Sequence, residues 1–67
     1  MQNIRMMRRP EVESITGLGR SAIYEKMADG TFPKNVLLNI RTVGWVSSEV
    51  ESWVADRINE ARSQNAA

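Results

Sequence analysis

Apolar side chains recur at helical spacing in three stretches of this chain. Val12 and Ile15 stand three apart, and Ile23 and Met27 four apart. Val50, Trp53, Val54, Ile58 and Ala61 follow the same period over a longer run. Such spacing puts each set on one face of a helix. Between the second and third stretches the pattern changes. Val36, Leu37 and Leu38 form one short β-prone run, and Val43, Trp45 and Val46 another. The predicted order is helix, helix, two-stranded hairpin, helix.

The punctuation agrees. The first helix, PEVESIT, opens on Pro10, suited to the N1 position, and carries Glu11 and Glu13 at its positive end. Gly17 permits the positive φ that closes many helices. The second helix, RSAIYEKMAD, buries Ile23 and Met27, with Ala22 at the edge and Arg20 and Tyr24 on the flanks. Ser21, Glu25 and Ala28 turn outward, and Gly30 supplies the stop. Gly17-Leu18-Gly19 joins the two helices, with Leu18 plugging the angle between them. Two short helices joined by a three-residue glycine turn are the helix-turn-helix signature. Pro33 precedes the hairpin or lies at its edge. Asn39 to Thr42 forms the tip, since Asn tolerates left-handed geometry. Ser48 and Glu51 form a capping box for the third helix. Arg57 lies near the middle of that helix's apolar face, with its stem on apolar surface and its head in water.

Trp45 and Trp53 are too large for one short helix pair to bury. The hairpin and third helix must close over it. The predicted fold is mainly α with a small β-hairpin: a winged helix-turn-helix with a two-stranded wing. One domain spans residues 1–67, and residues 1–3 and 63–67 are expected to be loose.

At 67 residues the chain holds a modest core near the stability limit. It has no cysteine and no histidine. That removes disulfides, thiolate zinc sites, the usual metal ligand and the usual neutral-pH base. No apolar run approaches the ~18 residues of a membrane span. The basic start, MQNIRMMRRP, is not followed by the apolar segment of a signal peptide. A cytoplasmic protein without membrane contact is expected. The net charge of +1 conceals segregation: residues 1–46 sum to +3 and residues 47–67 to −2. Such a division can orient a protein on a polyanion, although charge alone fits an ordinary mixed surface.

Catalysis is not expected. The carboxylates fall on exposed helix positions, no Ser or Thr has an obvious base, and GLG and ADG lack the spacing and lysine of a phosphate loop. No cofactor or metal is implied. Nucleic-acid binding has more support. A helix-turn-helix places its second helix in the major groove of double-stranded DNA, N-terminal residues toward base edges. Arg20 stands there and can pair bidentately with guanine. Ser21 can donate to a phosphate or base. Tyr24 either reaches a phosphate or thymine methyl, or packs against the wing. Glu25 can accept from a cytosine N4, but more simply faces water or a nearby cation. Lys34 at the hairpin base and Arg41 at its tip can clamp a backbone or enter a minor groove. Ile40 is an exposed apolar residue or a small wedge between bases, with packing against its strand neighbours the safer expectation. Trp45 and Trp53 are read as core rather than as stacking platforms.

The residues Pro10-Glu11-Val12, Thr16-Gly17-Leu18, Arg20-Ser21, Ile23-Tyr24, Gly30, Phe32-Pro33, Val43-Gly44-Trp45 and Ser48-Glu49-Val50 with Trp53 span nearly the whole chain. In this order and spacing they resemble the AlpA family of prophage regulators, within the wider group of MerR-like excisionase domains. The resemblance implies a DNA-binding protein of a phage, genomic island or other integrated element. It implies an excisionase, or recombination directionality factor, that binds and bends attachment-site DNA so that the integrase excises. The alternative is a transcriptional regulator of an integrase or prophage gene. A tyrosine-type integrase and neighbouring copies of the chain on DNA are the further partners implied. The site residues it carries over are Arg20, Ser21 and Tyr24 on the second helix, and Arg41 and Thr42 on the wing; Lys34 and Asn39, beside the wing residues in this sequence, complete the candidate set. Three positions depart from the family pattern. Gly19 stands where the family usually has Ser, Glu25 where a basic residue is common, and Asn39-Ile40 where glycine is common. A third possibility, from another functional class, is a protein-interaction module that uses the third helix around Arg57.

Overall fold

The computed structural model describes residues 4–65. Its elements are β1 (Met6–Met7), α1 (Arg9–Thr16), α2 (Arg20–Asp29), β2 (Val36–Asn39), β3 (Thr42–Val46) and α3 (Ser47–Asn65). The winged helix-turn-helix order is present, and a third strand joins the wing.

α1 starts one residue before Pro10, with Arg8 as its cap residue. It ends at Gly17, whose φ of 76° lets its N–H donate to the Glu13 carbonyl. Val12 is fully buried, but Ile15, expected to share its face, is exposed. A three-residue step leaves a side chain about 60° off the line of the first. In a two-turn helix that is enough to reach the rim. Thr16 takes the position below Val12 instead. Its hydroxyl donates to the Val12 carbonyl (2.7 Å) and accepts from the Leu18 N–H (3.2 Å), stitching helix to turn.

α2 begins after Gly19 without a side-chain cap and ends at Gly30, φ 81°. There the Lys26 carbonyl accepts from both the N–H and the hydroxyl of Thr31. Ile23 is buried, and Leu18 and Met27 pack beside it.

The sheet has the antiparallel order β1-β3-β2. Met6 faces Val46 and Met7 faces Trp45. β1 was not foreseen because two residues are too few to show an alternation. On the other side Leu37 pairs with Val43 and Asn39 with Thr42, which leaves Leu38 as an extra residue in a bulge. Leu38 leans over Gly44. A Cβ at position 44 would sit 3.0 Å from Leu38 Cδ1 and 3.2 Å from the Met7 carbonyl oxygen. The central strand therefore needs a glycine where both neighbours close in.

α3 follows β3 directly, so Ser48 lies inside the first turn and not at the cap. The expected capping box is displaced because the ladder to the N-terminal segment extends one step further: the Ser47 N–H donates to the Arg5 carbonyl at 2.8 Å. α3 continues to Asn65, so residues 63–65, expected to be loose, are helical. Residues 1–3 and 66–67, also expected to be loose, lie outside the described residues. Only the first half of α3 meets the core. Val50 is buried and Trp53 and Val54 are half-buried, whereas Ile58 and Ala61 are exposed.

Met7, Val12, Ile23, Phe32, Trp45 and Val50 form the core. Every helix and two of the three strands contribute, with Phe32 coming from the linker after α2. Trp45→Ala should cost about 3–5 kcal/mol. The whole fold at this length holds roughly 3–10 kcal/mol. A circular-dichroism melt should show the variant largely unfolded at 37 °C, and a melting temperature equal to wild type would refute this description of the core.

Candidate nucleic-acid interface

Burying Ile23 and Met27 turns the opposite face of α2 outward. Ser21 and Glu25 lie on that face and Arg20 and Tyr24 flank the buried stripe, and all four are exposed. Tyr24 is anchored to the core. Its ring meets Trp45 edge-on, with centroids 6.3 Å apart and planes at 68°. The Arg20 guanidinium carbon lies 5.9 Å from the centroid of the Tyr24 ring. A stack of cation, phenol and indole thus runs from the helix surface to the buried strand. Tyr24 packs against the wing, as one of its two expected roles requires, and remains 38% exposed.

The linker from α2 to the wing is fixed by both tryptophans. The Trp45 Nε1–H donates to the Pro33 carbonyl at 3.2 Å, and the Trp53 Nε1–H donates to the Thr31 carbonyl at 2.6 Å. Phe32 sits edge-on to Trp53 at 5.0 Å. Trp53 is a half-buried margin of the core rather than part of its centre. Arg57 rests over its outer face at 5.3 Å and pairs with Glu60 at 2.6 Å.

Lys34 is exposed just before β2. Ile40 and Arg41 form the tip, and Thr42 is half-buried at the start of β3. Asn39 shapes the tip through its side chain: Oδ1 accepts from the Arg41 N–H at 3.1 Å. It does not adopt the expected left-handed backbone. Among the described residues only Gly17 and Gly30 have positive φ. Ile40 does not pack against strand neighbours. It is 91% exposed, because it lies between the strands where no element reaches it.

Ion pairing sharpens the division of charge. Arg5 pairs with Glu11 and Arg9 with Glu13, both at 3.0 Å. This uses up both acids of α1. Among the described residues Arg8, Arg20, Lys26, Lys34 and Arg41 then remain without an ion pair, against Glu25 and Asp29 in the same part of the chain. Glu25 faces water and pairs with no cation among the described residues. Arg8 is a further exposed cation, just before α1. Four residues beyond Arg9 stands Glu13, but four beyond Arg8 stands the buried Val12, and that spacing was the available signal. Among the described residues no cluster of His, Cys, Asp or Glu is arranged to hold a metal, and no helix is long and apolar enough to cross a membrane. An open recess of about 360 Å³ is lined by Pro33, Ser48, Glu49, Ser52, Trp53 and Asp56, none of them on α2.

Residues 5–58 match the family described as prophage CP4-57 regulatory protein (AlpA). The chain belongs to the AlpA family. It is 35% identical over 60 residues to the DNA-binding transcriptional activator AlpA of Escherichia coli strain K12, covering 81% of this chain and 86% of that protein. It is 48% identical over 54 residues to the uncharacterized protein ORF88 of Enterobacteria phage P4. That match covers 81% of this chain but spans only 61% of the phage protein's length. No solved structure matches the chain.

Tyr24→Phe keeps the ring against Trp45 and should leave the melting temperature within about 2 °C of wild type. Tyr24→Ala removes an aromatic pair and its buried area and should cost roughly 1–2 kcal/mol. Equal melts for the two variants would show that the ring does not brace α2.

Proposed function

We propose that this AlpA family member is a sequence-specific double-stranded DNA-binding protein that acts as a transcriptional regulator in a phage or integrated element. The observation that carries the reading is Arg20. It begins the second helix of the helix-turn-helix, is exposed, has no acidic partner among the described residues, and is steadied by the Tyr24 ring. A guanidinium so placed suits bidentate contact with guanine O6 and N7 in a major groove. Ser21 and Tyr24 would add contacts beside it, and Glu25 would select cytosine only where its N4 is within reach. Arg41, Lys34, Thr42 and the free amide of Asn39 would grip the backbone or minor groove beyond.

The regulator is placed first because the E. coli relative is named a DNA-binding transcriptional activator. An excisionase that bends attachment-site DNA and redirects a tyrosine-type integrase is the second reading. It is favoured by the exposed apolar tip of the wing. Both readings put the chain in the cytoplasm as one DNA-binding domain, and both allow neighbouring copies on a repeated site.

Fluorescence anisotropy on duplexes tiled across the DNA flanking its gene separates the two readings by where tight sites fall, promoter or attachment region. Arg20→Ala should lose roughly 1–3 kcal/mol at the tight site and relax one base preference. Arg41→Ala should weaken all duplexes alike and lower the salt slope by about 1. Weak binding of wild type to every duplex, unchanged in the Arg20 variant, would remove the recognition role and leave a protein-interaction module built on α3.

A further inference from the structure

The most exposed large apolar side chain among the described residues is Ile40, at 91%. It stands at the tip of the wing, where exposing it has no benefit for the fold. Its surroundings are polar and basic. Arg41 follows it without an ion pair among the described residues, and Asn39 precedes it. The tip is also held in shape. The Asn39 side chain accepts from the Arg41 N–H, and the Leu38 bulge, seated over Gly44, raises the local twist.

We infer that Ile40 is a wedge that enters a DNA minor groove and partly unstacks one base step, with Arg41 beside it on the groove wall. This deepens the DNA-binding reading above and rests on it. The reach is suitable. Tyr24 on α2 touches Trp45 on β3. From Trp45 the strand runs three residues to Thr42, about 10 Å at the usual strand rise, before the two tip residues begin. The centres of adjacent major and minor grooves lie about half a helical turn, roughly 17 Å, apart along the axis, and the 6.3 Å from Tyr24 to Trp45 together with the strand reaches about that far. A helix seated in the major groove therefore brings the tip to the neighbouring minor groove. Apolar side chains used this way open a step and kink the duplex toward the major groove. The insertion needs no base-specific hydrogen bond, so its selectivity comes from how easily the step deforms, and flexible pyrimidine–purine steps are the expected targets. The other available occupant of the tip is a second protein surface. The unpaired cation beside Ile40 and the shared frame with α2 favour DNA.

The test uses the full chain and the same tiled duplexes, end-labelled for energy transfer and carrying 2-aminopurine at successive steps. Wild type on its tightest duplex should raise 2-aminopurine emission about threefold or more at one step and bring the duplex ends closer. Ile40→Ala should lose most of both signals while its Kd rises less than about tenfold, and Ile40→Met should retain both signals. Melts should match wild type, since the side chain is exposed. Unchanged emission and bend in Ile40→Ala would overturn the wedge. So would loss of cooperative binding with the emission intact, which would place the tip against protein. Weak binding of wild type to every duplex, independent of Arg20, would remove the DNA-binding reading and the wedge with it. Tight, Arg20-dependent binding without any emission change would remove the wedge alone.

Discussion

Trp45 is the contact on which the rest of the structure depends. Its indole is fully buried, yet it links the second helix, the linker after it and the sheet. Tyr24 of α2 stands edge-on to it, its N–H holds the Pro33 carbonyl, and its strand carries β1 on one side and β2 on the other. The consequence is a fixed angle between the second helix and the wing. A chain this short has little area to bury, and it spends one large side chain on the joint instead of spreading the contact over many. Trp53 repeats the device at the edge, holding Thr31 and bracing Phe32. With both indole N–H groups satisfied by the linker carbonyls, neither desolvation penalty is left standing.

The charge arrangement follows from local pairing. Acids in α1 neutralise Arg5 and Arg9, while Arg20 and Arg41, on the helix and wing that Trp45 joins, have no such partners among the described residues. The acids beyond residue 46 lie on α3. Net charge hides this, and pairing reveals it. Guanidinium groups without ion pairs on the second helix and wing, with an excess of acids on α3, suit one orientation on a polyanion.

Much of this could be read in the sequence, for physical reasons. Glycine at 17 and 30 marks positive φ directly, so the limits of both short helices were legible. The 3.6 period found Val12, Ile23 and Val50, and the size of Trp45 forced it inside. What was missed depends on partners far along the chain. β1 exists because β3 offers it a ladder, not because Met6-Met7 prefers a strand. Ser47 displaced Ser48 at the start of α3 because its N–H was already committed to Arg5. Ile15 and Ile58 carry the right period but lie where the core does not reach. Ile40 is exposed rather than packed on its strand neighbours for the same reason, since apolar character predicts burial only where something is present to bury against.

The most direct measurement exploits the absence of cysteine. Single cysteines at Glu25 on α2 and Arg41 on the wing can each carry an iron–EDTA group and cleave bound DNA from their own positions. If a fixed helix and wing occupy adjacent grooves, each label should cut one narrow region, and the two regions should lie about half a helical turn, roughly 5 base pairs, apart. Cuts centred on the same base pairs, or spread evenly along the duplex, would contradict a rigid two-groove grip.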